Sequence, residues 1–234
     1  MVWGHPDLLG ERRAEAVEWP DGLRVCAIDK AIADRLIREG HYSRSVVWSS
    51  SVHVGVYFGG AIIGALQFGP AMNPKSGDKV VAGTTVETFL ELNRMWLADE
   101  KPTYCASRAI SGALRLIRHW RPRVEWVQSF ADERCGKFGA VYQACSFLYC
   151  GSHESLFYEI DGQWFHKSLL NRPEYDKRGW WQGPKAAWFN ANKHRATTHK
   201  FRQFRYLHFI NARAKRRLLL TPQPYPKPRQ EISA

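Results

Sequence analysis

This sequence lacks closely spaced cysteine pairs and long apolar runs, and one part of it lacks acidic residues. The five cysteines form no Cys-x-x-Cys pair, which argues against a disulfide framework and against a zinc finger. No apolar run approaches the roughly 20 residues that cross a bilayer, and residues 1–13 lack the apolar core of a signal peptide. We therefore expect a protein of the reducing cytoplasm, with no membrane partner.

Acidic residues are absent between Lys177 and Gln230, where 14 Lys or Arg occur. Because the chain has 34 Lys and Arg and 22 Asp and Glu, the other residues carry 20 basic side chains against 22 acidic ones. Aromatic residues alternate with the cations, a combination that suits phosphate neutralisation and base stacking. We predict a basic, aromatic DNA-binding extension over residues 177–220. The alternative is a solvated basic helix whose aromatics pack on the core.

The predicted phosphate contacts are cations of this extension: Lys193, Arg195, Lys200, Arg202, Arg205, Arg213 and Lys215. Charge reversal at Lys200, Arg202 and Arg205 is expected to weaken DNA binding without disturbing the fold. The proline-rich residues 221–234 are predicted to be a disordered tail.

Hydrophobic periodicity indicates strands and helices in alternation over residues 1–176, which we interpret as a catalytic domain. A hairpin is predicted around Gly59-Gly60 and a second one around Asp161-Gly162. "ETFLELNRMWL" and "VEWVQSF" are predicted central strands, and the segment from Ser107 to Trp120 between them is a predicted amphipathic helix. This order predicts an α/β fold with a mixed central sheet flanked by helices.

The stretch "FADERCGKFGAVYQACSFLYCG" begins at Phe130, at the end of a predicted strand. Asp132 stands at the carboxyl end of that strand, where α/β folds bind ligands. Gly136 and Gly139 would let the next helix, which carries Tyr142, lie close to the sheet or to a ligand. This unit resembles the last unit of the GNAT acyltransferase fold. The resemblance implies that two central strands diverge, that the group donor enters between them, and that the tyrosine protonates the leaving group.

The chain is similar, more specifically, to the phage Mom family of GNAT-like enzymes that modify adenine in phage DNA. The similarity is carried by "GHYSRS", "ELNRMWLADE", "SRAISGALR" and the stretch from Phe130 to Ser152, which together span most of residues 24–170. It implies the product N6-carbamoylmethyladenine, protection of the phage DNA from host restriction endonucleases, and an association with iron.

The residues that the resemblance implies to be functional are His41, Tyr42, Ser107, Asp132 and Tyr142. Glu91 shares a strand face with Asn93 and is a further general-base or substrate-orienting candidate. We assign proton removal to Asp132 or His41 and protonation of the leaving group to Tyr142. His41, Tyr42 and Asp132 also offer nitrogen and oxygen atoms that could hold iron.

Each of these residues has a structural alternative. Ser107 could be a helix N-cap, and Asp132 could cap the helix that follows it. Tyr142 could be a core aromatic residue. His41 could hydrogen-bond the last carbonyls of the preceding helix, which is predicted to end at a left-handed Gly40.

The donor-binding candidates are Ser107, Arg108, Gly136 and Gly139. Ordinary GNAT enzymes hold the donor's pyrophosphate on a glycine-rich loop before the helix that here starts near Ser107. Residues 97–109, "LADEKPTYCASRA", contain no glycine. We therefore expect a donor other than acetyl-coenzyme A. The sequence does not identify this donor.

The expected macromolecular partner is double-stranded DNA whose adenines are turned out of the helix, and a homodimer is a candidate oligomeric state. Two other functions are open at this point. One is an N-acetyltransferase that uses acetyl-coenzyme A on a protein or a small amine. The other is a non-catalytic DNA-binding protein on a GNAT-like fold.

Overall fold

The computed structural model describes residues 15–136, 138–167 and 184–227. The strands there are β1 (Ala16–Glu18), β2 (Arg24–Ala27), β3 (Val52–Phe58), β4 (Ala61–Gly69), β5 (Phe89–Leu97), β6 (Trp126–Asp132), β7 (Leu148–Ile160), β8 (Gln163–His166) and β9 (Thr197–Phe209). The α-helices are α1 (Lys30–Gly40), α2 (Cys105–Trp120), α3 (Ala140–Ala144), α4 (Pro184–Asn192) and α5 (Ala212–Lys215). Short 3-10 helices occupy Pro74–Lys79, Glu133–Cys135 and Lys193–Arg195.

The strand order is β1-β2-β3-β4-β5-β6-β9-β7-β8. Strands β1 to β5 pair antiparallel, β5 and β6 pair parallel, and β7 pairs antiparallel with β8. The mixed sheet flanked by helices that the sequence predicts is confirmed. The chain forms two compact units, the first comprising Met1–Phe130, Gly139–Cys150 and Arg205–Pro226 and the second Ala131–Phe138, Gly151–Phe204 and Lys227–Ala234.

Both predicted hairpins are confirmed. Gly59 and Gly60 connect β3 to β4 with φ values of 57° and 80°, and Asp161 and Gly162 connect β7 to β8 with φ values of 51° and 74°. Two successive positive φ values match the right-handed twist of the flanking strands, which is why glycine and aspartate are favoured there.

Helices α1 and α2 cover opposite faces of the first unit's sheet. The apolar face of α1 packs against Ala65 of β4, whereas Gly112 of α2 lies against Val25 of β2. Ala65 is in register with Gly55 and Cys26, and Val25, next to Cys26, points to the other face because side chains alternate along a strand. None of the described helices is long and apolar enough to cross a membrane.

Gly40 has a different role from the predicted left-handed cap. It is the last helical residue of α1, and its φ is not positive. A Cβ atom there would lie 2.0 Å from the Trp96 ring. The position needs glycine because the helix passes so close to β5. The prediction that His41 and Tyr42 follow the end of this helix is confirmed.

The predicted helix that carries Tyr142 is short and does not include Gly136 or Gly139. The Glu133–Cys135 turn ends at Gly136 with a φ of 62°, and α3 begins only after Gly139, whose φ is 81°. Two left-handed residues interrupt the helical path. Lys137 lies outside the described residues.

The basic segment contributes to the sheet itself. Strand β9, with 13 residues, stands between β6 and β7 in the strand order. Of the tail predicted to be disordered, residues 221–234, the structure describes residues 221–227. There the Gln223 N–H donates to the Tyr149 carbonyl at 2.8 Å, and the Tyr225 hydroxyl donates to the Phe147 carbonyl at 2.8 Å. Residues 228–234 lie outside the described residues.

In the second unit, β7 and β8 build a small core with α4. Ile160, Phe165 and Phe189 are buried together, and the rings of Phe165 and Phe189 stack at 5.1 Å. Tyr158 packs against the same cluster.

Candidate functional site

The parallel pairing of β5 with β6 stops part of the way along the strands. Phe89 pairs with Trp126, Leu90 with Val127 and Glu91 with Gln128, while β5 continues to Leu97. Beyond the last pair, the Ser129 hydroxyl reaches the Leu92 carbonyl at 3.5 Å in place of a backbone bond. The divergence of two central strands that the resemblance implies is therefore present. We call the region where the pairing ends the β5–β6 gap.

Glu91 is the acidic residue of this gap. Its carboxylate accepts a hydrogen bond from Gln128 Nε2 at 2.8 Å and a longer one from Asn93 Nδ2 at 3.4 Å. Burial raises the pKa of Glu91, against the opposing effects of these hydrogen bonds and of the Arg94 and Arg205 charges. A carboxyl group with a raised pKa is a stronger proton acceptor than an ordinary one.

A β-bulge next to Glu91 leaves a further polar atom without a partner among the described residues. Gln67 of β4 pairs with Arg94, but Phe68 pairs with Leu92, so Asn93 is the extra residue. Asn93 Oδ1 is buried and has no hydrogen-bond partner among the described residues. Bulges of this kind redirect side chains and are common beside active sites.

Arg94 connects the gap to His41 and Tyr42. Its Nε donates to the Ser45 carbonyl at 2.8 Å. Burial lowers the pKa of Arg94, whereas Tyr42 and Glu91 act to raise it. The structure thus brings together three of the predicted site residues, His41, Tyr42 and Glu91, around a cation that the sequence analysis did not select.

His41 is buried and neutral. The Ser43 N–H donates to its Nδ1 at 3.1 Å, so Nδ1 is the acceptor and the ring proton resides on Nε2. Burial, assisted by the Arg94 charge, lowers the pKa of His41 to about 4. The ring of Tyr42 lies 4.3 Å from the His41 ring. A ring whose unprotonated nitrogen is already engaged is a weak candidate for the base.

Arg205, predicted from the sequence as a phosphate contact, lies close enough to Glu91 for the two charges to interact. It is half-buried, and its guanidinium lies 5.4 Å from the Phe130 ring. Its Nε is buried without a hydrogen-bond partner among the described residues. Burial lowers the pKa of Arg205, against the opposing effects of Cys150 and Glu91.

Ser107 and Arg108 lie in the first turns of α2. The helix begins at Cys105, and its N-cap is the left-handed Tyr104, so the capping role considered for Ser107 is wrong. The Ser107 hydroxyl donates to the Tyr104 carbonyl at 3.0 Å. Arg108 forms an ion pair with Asp21 at 2.7 Å, an arrangement that occupies its guanidinium within the protein.

A small cavity of about 220 Å³ lies beside α2. It is lined by Ser111, Leu114, Arg115, Arg118, Cys145, His208 and Ile210. The Cys145 thiol also donates to the Ser107 carbonyl at 3.3 Å, so the cavity adjoins the turn that carries Ser107.

Asp132, the last residue of β6, belongs to the second unit. It caps the Glu133–Cys135 turn by accepting from the Arg134 N–H at 3.0 Å, as the structural alternative proposed. Both carboxylate oxygens also accept from the Arg134 guanidinium. That guanidinium lies 3.7 Å from the centre of the Phe157 ring. This carboxylate is therefore neutralised by a neighbouring cation.

Tyr142 lies in a group of aromatic rings of the first unit. Its ring centre is 5.3 Å from that of Tyr206 and 5.5 Å from that of Phe147. The core position considered for Tyr142 agrees with this packing. Its role as an acid stays a prediction.

The two glycines of the donor-binding prediction differ in their surroundings. A Cβ atom at Gly139 would lie 2.3 Å from the Tyr206 ring, whereas one at Gly136 would meet nothing within 4 Å. Gly139 thus permits close packing on β9, and Gly136 supplies only a left-handed turn.

Gly139→Ala should therefore lower the free energy of unfolding more than Gly136→Ala. The alanine at position 136 adds only left-handed strain, about 1–2 kcal/mol, whereas position 139 adds overpacking of about 1–3 kcal/mol to the same strain. Urea unfolding of both variants measures the difference. Equal losses would contradict the close contact with Tyr206.

Two other predicted DNA-binding cations form close ion pairs, Arg195 with Asp161 and Arg202 with Glu133, each at 2.6 Å. The exposed ones among the predicted cations are Arg195, Lys193, Lys200, Arg213 and Lys215, and Lys200 lies 3.9 Å from Glu154.

The predicted iron ligands do not fit a metal site as they stand. Asp132 directs both oxygens at Arg134, and His41 Nδ1 accepts from Ser43. Within residues 15–136, 138–167 and 184–227, no three His, Cys, Asp or Glu side chains are grouped so that they could hold an ion. Iron stays a prediction from the resemblance.

Sequence reasoning missed Gln128 and Arg94. Each is a polar residue inside a predicted central strand, "VEWVQSF" or "ELNRMWL". Since buried polar groups need partners, such an interruption was the available signal for a residue that faces the gap.

The chain is similar to several known proteins. The model of the Mom protein family matches residues 22–227. The chain is 51% identical over 208 residues to the methylcarbamoylase mom of Escherichia phage Mu, which covers 88% of this chain and 84% of that protein. Similar solved structures include the RimL ribosomal L7/L12 alpha-N-protein acetyltransferase, with 11% identity, a TM-score of 0.46, and 85% of this chain and 99% of that one covered. Another is a GNAT-family acetyltransferase from Streptococcus pneumoniae, with 10% identity, a TM-score of 0.45, and coverage of 81% and 99%.

The match to the family model extends over most of the described residues and includes the β5–β6 gap. At 51% identity, the relative from phage Mu independently supports the same family. This chain belongs to the Mom protein family.

Proposed function

We propose that this protein converts adenine in phage DNA to N6-carbamoylmethyladenine, and that the modification protects the DNA from host restriction endonucleases. The observation that carries the proposal is the 51% identity to the methylcarbamoylase mom of phage Mu over most of both chains. The protein would act in the host cytoplasm, on double-stranded DNA.

The chemistry requires a base close to the exocyclic amine of adenine. The lone pair of this amine is delocalised into the ring, so the amine is a poor nucleophile until a proton is removed. Glu91 is the residue that suits this role best, because burial raises its pKa and because it lies where the β5–β6 pairing ends. We therefore favour Glu91 over Asp132, which is paired with Arg134, and over His41.

The proposed step is a group transfer. The N6–H bond breaks and its proton passes to Glu91, while a bond forms between N6 and the donor's carbon. The bond from that carbon to the leaving group breaks, and the leaving group departs with the electron pair. Tyr142, through its hydroxyl, is the predicted source of the proton that the leaving group takes up. The donor is an activated small molecule that carries the carbamoylmethyl group.

The unpartnered polar atoms of the gap suit the two reactants. Asn93 Oδ1 can accept a hydrogen bond from the adenine amine, a pairing that asparagine commonly makes with adenine. Arg205 Nε can donate to a carbonyl or an anionic group of the donor. The exposed cations Lys193, Lys200, Arg213 and Lys215 would contact phosphates of the DNA.

Mass spectrometry of nucleosides from plasmid DNA tests the proposal. Expression in bacteria should convert a fraction of the deoxyadenosine to a heavier species, and the plasmid should resist restriction enzymes whose sites contain adenine. The methylcarbamoyl group in the relative's name and the carbamoylmethyl group are isomers of equal mass. Fragmentation against both synthetic nucleosides is therefore required.

Unmodified adenine together with acetylation of an amine would establish the ordinary acetyltransferase. Unmodified adenine together with DNA binding that survives Glu91→Gln would establish a non-catalytic DNA-binding protein. A methylcarbamoyl product would keep the family reaction and correct the proposed group.

A further inference from the structure

Trp48 exposes almost all of its side chain. Its exposed fraction is 85%, and among the tryptophans of the described residues the next most exposed is Trp164, at 39%. Scattered exposed apolar residues are ordinary, but tryptophan is usually largely buried. Trp48 is more than twice as exposed as any other described tryptophan.

The loop between α1 and β3 holds Trp48 in this exposed position. On one side of it, the Ser45 carbonyl accepts from Arg94 Nε at 2.8 Å. On the other side, the Ser50 N–H donates to the Val47 carbonyl at 3.1 Å, and the Ser51 N–H donates to the Phe68 carbonyl at 2.8 Å. Hydrogen bonds thus fix the backbone on both sides of Trp48.

Both anchors of this loop lie beside the β5–β6 gap. Arg94 is the gap residue that holds Ser45. A Cβ atom at Gly69 would lie 2.8 Å from Ser50 Cα and 2.9 Å from Asn93 Oδ1, so Ser50 and Asn93 flank the same glycine. Since a residue spans at most about 3.6 Å, the Cα of Trp48 lies within about 7 Å of Ser50. The exposed ring therefore stands at the rim of the gap.

The rest of the loop carries groups that suit DNA. Tyr42 is 61% exposed, and Arg44 is exposed with a left-handed φ of 45°. Such a backbone conformation is costly for arginine and is often associated with function. Two aromatic rings and a cation on one loop can contact bases and phosphates together.

We infer that Trp48 enters the base stack of duplex DNA and fills the space left by the adenine that turns out toward Glu91. The inference rests on the proposed function. An adenine inside a duplex cannot reach a side chain in the gap, and turning it out costs a few kcal/mol of stacking and pairing. A rigid aromatic ring that stacks on the neighbouring bases recovers part of that cost, since base–aromatic stacking contributes about 1–3 kcal/mol. Apolar side chains are known to insert between base steps in architectural proteins that bend DNA.

The decisive comparison uses two DNA duplexes. One contains target adenines in normal pairs, and the other places an abasic site opposite each target adenine, so that the base is already unpaired. Trp48→Ala should lower the modification rate on the paired duplex by about 10- to 100-fold, the equivalent of the lost stacking. On the abasic duplex the variant should approach the wild-type rate, and Trp48→Phe should be intermediate on the paired one.

Met72→Ala is the matched control, because Met72 is also an exposed apolar side chain of the first unit, at 74%, but has no ring to stack. It should modify both duplexes at the wild-type rate. The thermal unfolding of Trp48→Ala should match that of the wild type, since an exposed ring contributes little to the core.

Equal losses of Trp48→Ala on both duplexes, or no loss on either, would overturn the inference. If the wild-type protein modifies neither duplex, the proposed function fails and a binding measurement decides on Trp48. In that case the probe is a duplex with 2-aminopurine in place of several adenines. Its fluorescence should increase when the wild type binds and should not increase when Trp48→Ala binds. Absence of that increase with the wild type would also overturn the inference.

Discussion

Glu91→Gln is expected to lower the rate of adenine modification by about 10²- to 10⁴-fold, while the protein keeps its fold and its affinity for DNA. Glutamine has the same shape, and its amide oxygen can still accept from Gln128, which donates to Glu91 at 2.8 Å. The substitution removes the proton acceptor alone. Single-turnover assays at saturating DNA separate this loss from any change in binding.

The pH dependence of the wild type should identify the same group. Burial raises the pKa of Glu91 above its ordinary value of 4.5, so the rate should increase with pH over a range higher than that of an exposed carboxyl group. A raised pKa means that the folded state favours the protonated form of Glu91. This contribution to the free energy of unfolding is present at low pH and is lost as the pH increases through the folded-state pKa. At neutral pH, Glu91→Gln should therefore be at least as stable as the wild type.

The other predicted bases provide the comparison for this experiment. Asp132→Asn and His41→Gln should be assayed in the same way. Wild-type activity in Glu91→Gln, with a large loss in Asp132→Asn or His41→Gln, would transfer the role of the base to the residue whose variant is inactive.

Much of the first unit could be predicted from local sequence. The alternation of Val52, Val54 and Val56 in β3 and the helical stripe of α2 reflect burial that repeats with the period of the element. Glu91 could be selected because burying a charged side chain in a central strand costs free energy unless the charge is paired, and such a residue therefore indicates a function.

The features that the sequence did not reveal depend on contacts between distant residues. Gly40 is glycine because of Trp96, and Gly139 because of Tyr206, and neither partner is nearby in sequence. Strand β9 was missed because cations and aromatic residues alternate irregularly along it, with polar side chains on both faces. Its pattern is set by its neighbours in the sheet, and therefore no single periodicity describes it.

Which cations of the basic segment face solvent also depends on contacts between distant residues. Composition shows that residues 177–230 carry the excess positive charge, but it does not show which cations face solvent. Two guanidinium nitrogens of Arg202, Nε and Nη2, donate to Glu133 Oε1, and a reversed charge at Arg202 would lose both hydrogen bonds. Charge reversal at Arg202 or Arg205 should therefore disturb the fold, contrary to the expectation from sequence, whereas reversal at the exposed Lys200 should not.

Arg205→Ala is expected to lower the single-turnover rate by about 10²- to 10³-fold, the usual effect of removing one electrostatic donor from an active site. The physical reason is its position, because the guanidinium is half-buried, acts on Glu91 and has an unpartnered Nε. Arg205→Lys should recover only part of the rate, since lysine keeps the charge but lacks the planar fork. Thermal unfolding of both variants distinguishes this effect from a loss of fold.

The matched comparison is the double variant Arg213→Ala, Lys215→Ala, which removes two exposed cations of α5. If these residues contact phosphates, DNA binding should weaken for all sequences alike, and the slope of log affinity against log salt should fall by about 2, because each neutralised phosphate contributes about one unit. The rate at saturating DNA should stay at the wild-type value. Arg205→Ala should show the opposite result, with an unchanged slope and a reduced rate. If Arg205→Ala instead reduces the salt slope and retains the rate, Arg205 binds a phosphate, as its place in the basic segment first suggested, and the gap must orient its donor by other groups.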